Sequence, residues 1–76
     1  MNKDRRKQLE ECMNRLEDTQ NELETLKDEE QEYYDNMPEG LQQGEKGGRA
    51  EECVQTLEQA ISHVEEAIEE IQEAIQ

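Results

Sequence analysis

The sequence predicts an all-α fold: an antiparallel helical hairpin of the coiled-coil type that dimerises into a four-helix bundle, with residues 1–76 as one domain. Three observations predict it. Apolar residues recur at heptad spacing in the first half, a seven-residue unit repeats three times in the second half, and a Gly- and Pro-containing stretch separates them.

In the first half, apolar or small residues fall at Leu9, Cys12, Leu16, Thr19, Leu23, Leu26 and Tyr33, in alternating steps of three and four broken only at Glu30. The positions between them carry Glu, Gln, Asn, Asp, Lys and Arg, mostly good helix formers, and neither Gly nor Pro occurs before Pro38. Helix 1 is therefore expected from about residue 3 to about residue 35.

In the second half, VQTLEQA (Val54 to Ala60), ISHVEEA (Ile61 to Ala67) and IEEIQEA (Ile68 to Ala74) are successive copies of one unit. A β-branched residue opens each copy, an aliphatic residue follows three positions later, and an alanine closes it. That is two seam positions plus one small flanking position. The alanines let a neighbouring helix approach closely and make the apolar stripe wider than a two-stranded coiled coil needs, which predicts more than one neighbour. Helix 2 is expected from about residue 49 to about residue 75.

Residues 36–48 hold all four glycines and the only proline and are expected to form the loop. Pro38 disfavours helical geometry at Met37 and ends helix 1. Pro38, Glu39, Gly40 and Leu41 can make one short helical turn, and Gly47-Gly48 reads as a flexible start for helix 2. Glu51 and Glu52 then fall in its first turn, where the helix dipole favours negative charge.

Folding the helices back on each other sets residues whose numbers add to about 84 level. Leu9 then meets Ile75, Leu16 meets Ile68, Leu23 meets Ile61 and Leu26 meets Leu57, while Glu30 against Val54 is the one mismatch. The same register carries the basic cluster Lys3, Arg5, Arg6 and Lys7 beside the C-terminal end of helix 2, where the dipole and its glutamates favour cations.

Composition limits what such a chain can do. Apolar residues are 30% of the chain, Trp and Phe are absent, and the net charge is -14, so the core is thin and self-repulsion opposes compaction. The acidity argues against direct binding to nucleic acid or to an anionic membrane, since neutralising phosphates needs a cationic footprint; a basic protein surface is the natural partner. No uninterrupted apolar run exceeds two residues, which predicts neither a membrane span nor a signal-peptide hydrophobic region and hence a cytoplasmic product. Cys12 and Cys53 then read as reduced thiols.

No catalytic or cofactor constellation emerges. An EF-hand frame from Asp35 places Gly40 correctly at the sixth position but puts Met37 at the third and Lys46 at the twelfth, where a bidentate Glu is required. Ala60 stands where a di-iron bundle needs a Glu three residues before His63. One His and two distant thiols cannot close a zinc site within a monomer. Ser62 and His63 are adjacent on a helix and diverge by about 100°. The chain is therefore expected to be non-enzymatic, with no cofactor, and His63 is an exposed surface residue.

Two binding surfaces are candidates. Tyr34, Met37 and Leu41 at the turn form one: of Tyr33 and Tyr34, one can cap the hairpin core while the other covers Pro38 and Leu41, or either can anchor a partner, since Tyr is favoured at binding hot spots. The other is acidic. Glu65, Glu66, Glu69, Glu70 and Glu73 put five carboxylates within about 12 Å of helix, against about one phosphate charge per 1.7 Å of duplex axis. Such a face keeps a small protein soluble, or it mimics nucleic acid.

The segment from Glu29 to Gln42, EEQEYYDNMPEGLQ, followed by an Ala/Glu/Ile-rich heptad helix, resembles short, functionally uncharacterised proteins from phages and prophages of Gram-positive bacteria. Their shared core looks like an aromatic residue, then Asp-Asn-Met-Pro-Glu, a small residue and Leu-Gln. The resemblance covers about residues 29–76. Such proteins often carry Asn and Ser where this chain has Gly40 and the Gly44 to Gly48 region. It implies a phage or mobile-element origin and no known activity. The resulting expectation is an acidic coiled-coil module for protein–protein interaction, a homo-oligomer with a further host or phage partner. The alternative is a nucleic-acid-mimicking inhibitor of a host DNA- or RNA-binding or defence protein.

Overall fold

Asn2 opens the first helix, α1 (Lys3–Asp35), in the computed structural model, which describes residues 1–76. Its side-chain oxygen accepts the Arg5 N–H at 2.7 Å, satisfying one of the amide donors that every helix start leaves without a partner. With no Gly or Pro in its 33 residues, α1 continues unbroken to Asn36, whose N–H donates to the Glu32 carbonyl at 3.0 Å, and the Met37 N–H donates to the Tyr34 carbonyl at 3.1 Å. Met37 then precedes Pro38 and is pushed out of helical geometry.

A single helical turn, α2 (Glu39–Gln42), follows at once. The Pro38 carbonyl accepts the N–H groups of Leu41 at 2.9 Å and Gln42 at 3.1 Å, so proline sits where its own missing N–H costs nothing. The last helix, α3 (Glu45–Ile75), has 31 residues. The protein is thus all-helical, with three helices and no strand. None of its helices is long and apolar enough to cross a membrane.

The short helical turn expected within 36–48 is present over residues 39–42, but the expected start of helix 2 is corrected: α3 begins at Glu45 rather than near 49, which places Gly47 and Gly48 inside its first turn. They are not a flexible hinge, and no residue of the chain has a positive φ. What Gly47 contributes is the absence of a side chain: a Cβ there would collide with the backbone of Gln42. The turn thereby brings α2 and α3 into direct backbone contact. At Gly48 a Cβ would meet nothing within 4 Å.

At 1.5 Å per residue, α1 and α3 are each about 47 to 50 Å long. The molecule's longest dimension is 58 Å and its other two are 14 and 12 Å, so the two long helices, which pack against each other, lie side by side. Their shared core is thin. Only Ala50, Val54 and Ile68, together with Gly47, are buried, and α1 has no fully buried residue.

Partial burial maps the packed faces. On α1 and just past its end, the partly covered positions are Leu9, Cys12, Met13, Leu16, Gln20, Leu23, Lys27, Glu30, Tyr34 and Met37. Leu9, Leu16, Leu23, Glu30 and Met37 form one heptad column, and Met13, Gln20, Lys27 and Tyr34 form the second. The expected second column of Cys12, Thr19, Leu26 and Tyr33 is displaced: Thr19 is exposed, and Leu26 and Tyr33 are each 47% exposed. One neighbouring helix can cover the central column and one flank only. The flank it covers includes Gln20 and Lys27, whose aliphatic stems can lie along apolar surface while their heads stay wet. On α3 the columns are Gly47, Val54, Ile61, Ile68 and Ile75, and Ala50, Leu57, Val64 and Ile71, all buried or partly covered.

Candidate interaction surfaces

The turn is held by one side chain. Gln42 donates from Nε2 to the Tyr34 carbonyl at 2.9 Å in a part-buried position, tying α2 to the last turn of α1. Tyr34 is partly covered as a member of the packed column, whereas Tyr33, one residue earlier and about 100° around the helix, points elsewhere. Tyr33 lines a groove of about 310 Å³ with Asn36, Met37, Pro38, Leu41 and Lys46. Leu41 is 51% exposed. Of the three turn residues singled out in the sequence, the structure brings Met37 and Leu41 together and leaves Tyr34 outside the groove, its place taken by Tyr33. The sequence held no signal for this exchange, because the seven-residue spacing of Tyr33 from Leu26 puts both in the column expected to face helix 2.

A second groove, of about 700 Å³, runs between α1 and α3 and is bordered by Leu26 and Glu30 on one side and Arg49, Cys53 and Leu57 on the other. Leu26 belongs to the flanking column Cys12, Thr19, Leu26 and Tyr33 on α1. Cys53 belongs to the small-residue column Cys53, Ala60, Ala67 and Ala74 on α3. Since both line one groove, the two flanking columns border the same face of the molecule. That face carries two aliphatic or aromatic side chains near half exposure with no covering element.

The acidic surface is open. Glu65, Glu66, Glu69, Glu70 and Glu73 are all exposed, and four of them ring a polar depression with Gln72 and Gln76. Ion pairing is nearly absent. The one salt bridge in the chain joins Lys27 to its neighbour Asp28 at 3.3 Å. The basic cluster Lys3, Arg5, Arg6 and Lys7 is exposed and makes no ion pair with the glutamates of α3. These long side chains remain in water, where an exposed pair gains little.

Neither thiol is bridged. Cys12 is partly covered, with Arg15 donating to its Sγ at 3.2 Å, and Cys53 is exposed. Ser62 and His63 are exposed on α3, and no three His, Cys, Asp or Glu side chains stand where they could share a metal ion. The surfaces that remain offer apolar contact at the turn and along one face, and negative charge along α3. Compared with known proteins, the chain matches no family model, no curated protein and no solved structure.

Proposed function

We propose that this chain is an antiparallel helical hairpin that pairs with a second copy as a four-helix bundle and serves as a non-enzymatic, acidic protein–protein interaction module. The observation that carries this reading is the half-covered apolar stripe: Leu26 and Tyr33 stand 47% exposed along one face while only three side chains of the whole chain are buried. Ordering a residue costs about 1 to 2 kcal/mol of backbone entropy, and burying a large aliphatic side chain returns about 1.5 to 3 kcal/mol. A two-helix layer that leaves its stripe wet gains too little.

Two further observations support the hairpin. Residues 36–44 could span at most about 30 Å fully extended, too short to carry the chain back along a helix of about 50 Å, so side-by-side helices joined here run in opposite directions. Residue numbers that add to 84 also match covered position to covered position along the two central columns: Leu9 with Ile75, Met13 with Ile71, Leu16 with Ile68, Gln20 with Val64, Leu23 with Ile61, Lys27 with Leu57, Glu30 with Val54, Tyr34 with Ala50 and Met37 with Gly47. Leu57 thus stands level with Lys27, and Leu26 is freed to face outward.

Sedimentation equilibrium at micromolar concentration is expected to find a dimer, with a melting temperature that rises with protein concentration. A folded monomer whose melting temperature ignores concentration refutes the proposal. The resemblance at the turn supports a phage or mobile-element origin, a place in the cytoplasm of the bacterial host, and a host or phage protein as further partner, with the Met37 and Leu41 groove as its docking point.

A second reading is favoured by the acidic face itself. Five exposed glutamates on α3 without a pairing cation support a mimic of nucleic acid that occupies the binding groove of a host DNA- or RNA-binding or defence protein.

A further inference from the structure

We propose that the second copy docks on the face bordered by the two flanking columns, because this is the chain's one face without net negative charge, and that assembly stops at two. The inference rests on the dimer reading above and adds the face, the reason a second copy is received there, and the limit on size.

The groove between α1 and α3 shows which columns share the face. Leu26 and Glu29 line it from α1, and Arg49, Cys53 and Thr56 line it from α3. The packed columns keep seven-residue steps from end to end, so their neighbours do as well. On α1 the face then holds residues 5, 12, 19, 26 and 33 beside residues 8, 15, 22 and 29. On α3 it holds residues 46, 53, 60, 67 and 74 beside residues 49, 56, 63 and 70.

These four columns carry Arg5, Arg15, Lys46 and Arg49 against Glu22, Glu29 and Glu70, all of them exposed. The opposite face differs. Its columns are residues 3, 10, 17, 24 and 31 with 7, 14, 21, 28 and 35 on α1, and 51, 58, 65 and 72 with 48, 55, 62, 69 and 76 on α3. They hold nine carboxylates against Lys3 and Lys7, and only Asp28 among the nine is paired, to Lys27. The two outer edges, residues 4, 11, 18, 25 and 32 and residues 45, 52, 59, 66 and 73, add eight carboxylates and no cation.

Charge therefore selects the occupant. A second copy brings the same net charge of -14, so like-charge juxtaposition bars it from the opposite face and leaves it the flanking columns. A basic partner has the reverse preference. Apolar surface agrees, since Leu26 and Tyr33 stand 47% exposed on this face, and the alanines at 60, 67 and 74 are small enough to let a neighbour come close. At 58 by 14 Å the face offers roughly 800 Å² per copy, the size of a standard stable interface. Each chain has one such face, so two copies cover each other and leave no site for a third.

Both thiols lie on this face, with Cys53 exposed and Cys12 partly covered in the single chain, and they report its burial without substitution. Iodoacetamide is expected to alkylate Cys53 of the reduced protein about tenfold more slowly in the dimer than in urea. A reporter on the opposite face, Glu24→Cys with Cys12→Ser and Cys53→Ser, should react equally fast in both. Sedimentation separates the layers. A monomer refutes the dimer reading itself, and a species larger than two refutes the limit. A dimer whose Cys53 reacts as fast as in urea, or whose opposite-face reporter is equally protected, refutes the face. Two further variants avoid the thiols: Leu26→Glu should weaken the dimer about a hundredfold, and Glu24→Ala should leave it unchanged. Equal effects of the two overturn the assignment.

Discussion

Gly47 lies directly on the backbone of Gln42, closer than any residue bearing a Cβ could. This contact sets the start of α3 against α2, while the Gln42 amide, hydrogen-bonded to the Tyr34 carbonyl, sets α2 against α1. One side chain and one missing side chain therefore hold the junction of the three helices.

Gly47→Ala and Gly48→Ala are expected to have opposite effects. Alanine at 47 must push α2 and α3 apart, an overpacking cost of about 1 to 3 kcal/mol. Alanine at 48 enters open space on a helix and removes a glycine's excess unfolded-state freedom, a gain of about 0.5 to 1 kcal/mol. Urea denaturation of the two variants at equal protein concentration reads both signs. Equal effects would show that the contact is not needed.

Gly44→Ser should stabilise the protein. Gly44 caps α3 in an extended conformation with no side-chain hydrogen bond, and a Cβ there meets only ordinary contacts, the Leu41 carbonyl oxygen at 3.6 Å being the nearest. A serine hydroxyl can accept an N–H of the first turn. The combined cap and entropy gain is about 0.5 to 1 kcal/mol, visible as a rise of several degrees in Tm. An unchanged or lower Tm would mean the cap geometry differs.

The central columns of both helices were legible in the sequence because Leu, Ile and Val mark them unambiguously. The second column of α1 was not, since Gln20 and Lys27 are polar by type and are partly covered, while Leu26 and Tyr33 are apolar by type and about half exposed. Composition signals which surfaces prefer burial, but which of two flanks receives the single available neighbour depends on the crossing of the helices. The start of the last helix, expected near 49 and found at Glu45, was misplaced for a different reason. Glycines usually announce flexible or left-handed backbone, whereas here Gly47 serves close approach within a helix. The acidic face was fully legible, because exposure of five glutamates on one helix needs no tertiary information.

Glu30→Leu tests the register. Glu30 is partly covered in the central column and takes part in no side-chain hydrogen bond or ion pair; in the proposed hairpin it stands level with buried Val54. A leucine there should stabilise the fold by about 1 to 2 kcal/mol, raising Tm by roughly 4 to 8 °C per kcal/mol at a fixed protein concentration. Glu29→Leu, one position around the helix and exposed, is the control and should change Tm little. Equal responses at 29 and 30 would place the central column elsewhere.

The two functional readings differ in where binding energy resides, and two variants separate them. One replaces Glu65, Glu66, Glu69, Glu70 and Glu73 with Gln, which keeps helix propensity and shape while removing five exposed charges; the other changes Leu41, about half exposed at the turn groove and outside the Leu26 and Tyr33 stripe, to Ala. Affinity capture from bacterial host cells supplies the binding partner, and each variant is then titrated against it across a range of salt. A nucleic-acid mimic spreads its affinity over many charges, so its binding falls steeply with salt and nucleic acid competes for the same target. A module that docks through the turn depends on a few desolvated anchors, each worth about 2 kcal/mol or more on truncation, and responds weakly to salt. The turn variant is expected to lose the more binding, because solubility already accounts for the glutamates, whereas an exposed Leu41 beside Tyr33 and Met37 has no packing role to explain it. Loss confined to the Gln variant, with competition by DNA or RNA, would transfer the function to the acidic face.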